Sequence, residues 1–160
     1  SISDLAEEVS DLAHESAGGG KPIEELTSDE LYNLGLDLEE LDQNQAKNVY
    51  QRAATLDPTN VDAIINLGRI LQLEGDLKMA KQAYERGLSL NPRHELANYN
   101  LGTIFDELDE TSIASSYYEK APNVPDAHYN LARLKELAGD QVSAKRHLQL
   151  YKELVELEGF

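Results

Sequence analysis

The chain has 160 residues, no cysteine, and 30 Asp plus Glu against 14 Lys plus Arg, a formal net charge of −16. The missing cysteine excludes disulfides, zinc–thiolate sites and thiol catalysis, and the negative charge repels phosphate backbones and anionic lipid surfaces, so direct nucleic-acid or membrane binding is not expected and a neutral or basic protein partner is favoured. No apolar run approaches the roughly 20 residues that cross a bilayer, and no basic-then-apolar leader opens the chain, so a cytoplasmic protein is expected.

Residues 3–15 read as a short amphipathic helix, with Ile2, Leu5, Val9 and Leu12 on one face and Asp4 and Glu7 spaced to cap its start. It forms the end of an upstream domain, a cap or a free tail within a segment 1–16. Gly18-Gly19-Gly20 then breaks it, because consecutive glycines lose most backbone entropy on ordering, and 17–26 reads as a linker. Thr27 and Glu30 have capping-box spacing and open a helical domain, 27–160. The expected helices are 28–40, 43–56, 61–73, 76–89, 94–107, 111–121, 125–137 and 141–157. Pro58 and Pro92 separate successive hairpins, Asn91 is placed as an N-cap, and Gly75 and Gly139 sit in turns within hairpins where a left-handed residue ends a helix.

One pattern runs through these helices. Asn33-Leu34-Gly35, Asn66-Leu67-Gly68, Asn100-Leu101-Gly102 and Asn130-Leu131-Ala132 follow one another at intervals of 33, 34 and 30 residues. Ala46, Ala80, Ala114 and Ala144 trail them, and four residues further stand Tyr50, Tyr84, Tyr118 and Leu148. A period near 34 with small residues at fixed points marks stacked helical hairpins. The small residues let paired helices approach, and the aromatic fills the space beside them. One hairpin cannot bury its apolar face alone, so stability comes from stacking. Two irregularities stand out. Asn33 to Ala46 spans 13 residues against 14 in the other copies, which is one deletion in the first intra-hairpin turn. Ala121 to Pro125 spans 4 where the other copies have 8, because Pro122 and Pro125 cut the helix short.

These residues resemble the tetratricopeptide repeat, a helix-turn-helix unit, over residues 28 to about 152. The second copy carries the pattern most fully: Leu67, Gly68, Leu71, Gly75, Ala80, Tyr84, Gly87 and Pro92. The resemblance implies an all-α, right-handed superhelical array of four hairpins, at about 28–60, 61–94, 95–124 and 125–158. It also implies a concave face lined by the first helix of each hairpin.

No catalytic constellation is present, and no cofactor or enzyme activity is expected. His14, His94, His128 and His147 lack metal-ligand spacing; His128 is placed to pack against a neighbouring hairpin and His147 on an outer helix. Gly18-Gly19-Gly20-Lys21 follows no strand and precedes no Ser or Thr, so it fails as a phosphate loop. Glu39, Glu40, Asp42 and Asp106, Glu107, Asp109, Glu110 lack the spacing of a calcium loop and read as solvated surface.

The expected function is a non-catalytic scaffold that holds a peptide or helix of another protein in the concave groove. Asn33, Asn66, Asn100 and Asn130 can donate to and accept from a peptide backbone at once, or are simply the common residue at that point. Tyr32, Tyr99 and Tyr129 offer rigid contact with a hydroxyl, or pack against the adjacent repeat. Arg69 and Arg133 receive a ligand carboxylate, or pair with Asp62, Asp106 or Glu136. Leu150, Leu154, Val155 and Leu157 form an apolar strip expected to be covered by self-association or by folding over the fourth hairpin. The stretch Asp126–Leu134 with His147–Tyr151 also resembles the terminal repeats of some bacterial MerR-type regulators, which makes a regulatory domain downstream of a DNA-binding domain the alternative reading.

Overall fold

A computed structural model describes residues 21–159; the expected helix 3–15 and the glycine run lie outside them. Among the described residues eight α-helices and one short 3-10 turn (Ile23–Glu25) occur, without a strand. The helices are α1 (Ser28–Leu38), α2 (Gln43–Leu56), α3 (Val61–Leu73), α4 (Leu77–Leu90), α5 (Glu95–Glu107), α6 (Thr111–Glu119), α7 (Pro125–Leu137) and α8 (Gln141–Glu158). None is long and apolar enough to cross a membrane. The chain divides into two compact units between Ala83 and Tyr84.

In the first unit, local chemistry sets the helix starts. The Thr27 hydroxyl accepts from Glu30 N–H while the Glu30 carboxylate accepts from Thr27 N–H, so two backbone donors that a helix start leaves open are satisfied. Asp42 Oδ1 accepts from both Asn44 and Gln45 N–H at 3.1 Å to start α2. Asn60 caps α3 through Ala63 N–H, and its amide donates to Ser28 Oγ at 2.8 Å. Ser28 Oγ in turn donates to the Ala53 carbonyl, tying the starts of α1 and α3 to the end of α2. The core beneath is Leu26, Leu31, Leu34, Leu38, Val49, Tyr50 and Ile70, with Ala46, Ala53 and Ala63 at the close approaches. Each large side chain fully buried there contributes roughly 1.5–3 kcal/mol.

In the second unit, α5 packs on α6, α6 on α7, and α7 on α8. The cap of α5 is His94, whose Nδ1 accepts from Ala97 N–H, and not the expected Asn91. Pro92 and Arg93 form a turn before the helix starts, and Asn91 Oδ1 accepts from Arg93 N–H inside it. Helix α6 has nine residues where α2 has fourteen. It stops two residues before the expected end, since Pro122 disfavours helical backbone at the preceding residue.

The turns inside hairpins explain the one-residue deletion. Gly75, Asp109 and Gly139 all have positive φ, at 84°, 59° and 81°. Each lies nine residues after its asparagine (Asn66, Asn100, Asn130). The next N–H closes the turn on a carbonyl five residues back: Asp76 on Leu71, Glu110 on Phe105 and Asp140 on Lys135, each at 2.9 Å. The first hairpin lacks the left-handed residue, and Asp42 N–H bonds Leu38 instead.

Candidate functional site

Two copies of one side-chain cluster occur, one in each unit. In the first, the Tyr50 hydroxyl on α2 donates to Glu39 at the end of α1. Arg69 on α3 donates to the same carboxylate. The Asn66 amide reaches the Tyr50 hydroxyl at 3.4 Å, and the Tyr32 ring tilts against Tyr50 with centroids 6.0 Å apart. In the second, the Tyr118 hydroxyl on α6 donates to Asp106 on α5 at 2.9 Å. Arg133 on α7 donates to Asp106, and Tyr99 tilts against Tyr118 at 5.8 Å. A cavity of about 290 Å³ opens beside this second cluster, lined by Thr103, Asp106, Glu107, Tyr118, Asn130 and Arg133.

The backbone dictates the placement. The tyrosine lies fully buried against the small residue of its own hairpin. A Cβ at Gly35 would come within 2.3 Å of the Tyr50 ring, and one at Gly102 within 2.7 Å of Tyr118. With the ring lodged over glycine, its hydroxyl projects to the carboxylate at the end of the first helix. Burial, and then that carboxylate, push the Tyr50 and Tyr118 hydroxyls far above the ordinary tyrosine range. Tyr32 is also raised, first by burial and then by Asp62, with the Asn66 amide working the other way. Tyr99 follows the same pattern with burial, Asp126 and Asn130.

Six of the nine predicted site residues therefore fall into two groups. Tyr32, Asn66 and Arg69 come together in the first unit, and Tyr99, Asn130 and Arg133 in the second. Asn33 is exposed. Asn100 is 7% exposed, and its amide nitrogen is buried without a partner. Tyr129 is 52% exposed and meets Tyr151 of α8 at 5.5 Å. Glu39 and Asp106 correct the reading of the acidic runs as solvated surface: each is the hub of its cluster. The missed signal is positional, since both stand six residues after an asparagine. Arg133 pairs with Asp106, one of the expected partners, while Arg69 takes Glu39.

Sequence spacing also missed a pair of histidines. His128 on α7 and His147 on α8 are both buried, with Nδ1 atoms 3.0 Å apart. Among the described residues no group of three or more His, Cys, Asp or Glu side chains could hold a metal. In the apolar strip of α8, Leu150 and Leu154 are partly covered, whereas Val155 and Leu157 are exposed.

The tetratricopeptide-repeat family model matches residues 38–99. No curated protein matches the chain. A crystal structure of MamA is 24% identical, with 82% of this chain and 80% of that one covered at a TM-score of 0.70. A MamA 41-end structure from Desulfovibrio magneticus RS-1 is 24% identical, covering 81% and 76% at 0.66. A third structure, of MamA MSR-1, is 18% identical, covering 98% and 90% at 0.66. These likenesses show an all-helical repeat fold, and none supports the resemblance to MerR-type regulators. The hairpin period, the glycine–tyrosine contacts and the family match agree: the chain carries the tetratricopeptide repeat over residues 38–99, within an all-helical repeat fold.

Proposed function

We propose that the chain is a non-catalytic scaffold in which the α1–α3 face and the α5–α7 face each hold an extended, neutral or basic segment of another protein. The repeated cluster carries this reading. Tetratricopeptide repeats are generally interaction modules, and here the same five-residue arrangement recurs in each unit, with its asparagine, its arginine and the outer tyrosine on first helices of hairpins. Asn66 and Asn130 supply an amide that donates and accepts, so a peptide backbone of any sequence can pair with it. Tyr32 and Tyr99 supply a rigid ring with carboxylates beside it, Asp62 and Glu39 for one, Asp126 and Asp106 for the other. A ring flanked by carboxylates favours a Lys or Arg side chain through cation–π and charge attraction. Arg69 and Arg133 already hold an acid each, so a ligand carboxylate competes with Glu39 or Asp106. That competition, with the net charge of −16, turns the preference away from acidic segments.

The test is selection from a displayed library of short peptides, followed by anisotropy titration of the selected sequences. Enrichment of basic or neutral peptides is expected. The Asn66→Ala/Asn130→Ala variant should bind them at least tenfold more weakly with unchanged helicity, about 1.4 kcal/mol. Enrichment of acidic peptides, or affinity untouched by the double substitution, would overturn the reading.

A further inference from the structure

The histidine pair belongs to no part of the groove, and its geometry points to a different role. His128 Nε2 lies 2.8 Å from the Pro122 carbonyl, which can only accept, so Nε2 carries the hydrogen. Nδ1 of neutral His128 is then a bare acceptor. His147 Nδ1, 3.0 Å away, must be the donor. The ring centroids are 5.3 Å apart, so the rings meet edge to edge through this one N–H···N bond. The two residues are therefore fixed as complementary tautomers. One added proton, on either ring, leaves an N–H···N bond in place, because the neutral ring can present a bare Nδ1. A second sets two N–H groups and two positive charges against each other.

We propose that the His128–His147 contact is a pH-sensitive latch, which holds α8 on α7 while the rings share one hydrogen bond and releases α8 when both rings are protonated.

The surroundings favour such a release. The rings are 7% and 8% exposed, so water is poorly placed to solvate a doubly charged pair. Charged groups reach the pair from three helices: Lys135 on α7 and Arg146 on α8 oppose further positive charge, while Glu119 on α6 favours it. Burial, followed by the charge of His128, holds His147 below the ordinary histidine range. His147 is central to how α8 is held, because Ala144 and His147 are its buried side chains, whereas Leu150, Tyr151 and Leu154 are only partly covered. A folded-state value below the unfolded one means that the unfolded chain binds more protons. The stabilising contribution is thus complete above about pH 6.5 and is lost as pH falls below it.

Hydrogen exchange by mass spectrometry on the whole chain, with α5 as the internal reference and intrinsic rates corrected, tests the latch. Protection of α8 relative to α5 should fall at least tenfold between about pH 7 and pH 5. It should stay flat in H128L/H147L, where both polar partners are replaced together. Nitrogen-15 correlation spectra of the wild type at neutral pH supply a second reading that needs no variant. They should show Nε2–H on His128 and Nδ1–H on His147. The opposite tautomers, α8 protection that does not change with pH, or an equal fall in the double variant would each overturn the proposal.

Discussion

Gly102 lies directly against the ring of Tyr118, so close that a Cβ there would sit 2.7 Å from both Cδ1 and Cε1. Gly35 has the same relation to Tyr50 at 2.3 Å. Both rings are fully buried and tethered through their hydroxyls, so neither can swing aside cheaply. Gly102→Ala and Gly35→Ala should each cost about 1–3 kcal/mol through overpacking. Ala114→Leu, at another fully buried position of the same hairpin, should fall in that range too. Urea unfolding followed by circular dichroism measures this, and unchanged midpoints would contradict the packing described.

The hub carboxylates should matter more than the arginines they hold. Arg133 is 43% exposed in its side chain, and an exposed ion pair contributes about 0–1 kcal/mol. The bond from the buried Tyr118 hydroxyl to Asp106 is charge-assisted, and such bonds contribute about 1.5–3 kcal/mol. Asp106→Ala should therefore destabilise the chain clearly more than Arg133→Ala, and Glu39→Ala more than Arg69→Ala. Equal losses within either pair would place the stabilisation in the ion pair instead.

Asp109 has φ of 59°, where Gly75 and Gly139 stand in the equivalent turns. Left-handed backbone is strained for a residue with a Cβ, and Asp is among the few that tolerate it. Asp109→Gly should raise stability by up to about 1 kcal/mol. A higher thermal midpoint is the expected outcome; a lower one would mean that the entropy added to the unfolded chain outweighs the relieved strain.

By itself, the sequence determined the hairpins, because their signals are local. Helix starts follow from side chains that cap their own backbone, as at Thr27 and Asp42, and ends follow from Pro122 and the turn glycines. The repeat period then identified Gly35, Gly102, Ala46 and Ala114 as points of close approach, since a small residue at a fixed phase serves only packing. Only the tertiary structure decided what the polar residues do. Whether Glu39 meets water or Tyr50 depends on where a ring from the next helix comes to rest; its spacing from Asn33 marks the position but does not bring the ring there. The asparagines separate for the same reason: Asn66 reaches a hydroxyl, while Asn100 at the same phase is buried. His128 and His147 are 19 residues apart on different helices, with no shared motif. Their contact arises from the packing of α7 on α8, next to a Pro122 carbonyl that a shortened α6 leaves open to accept.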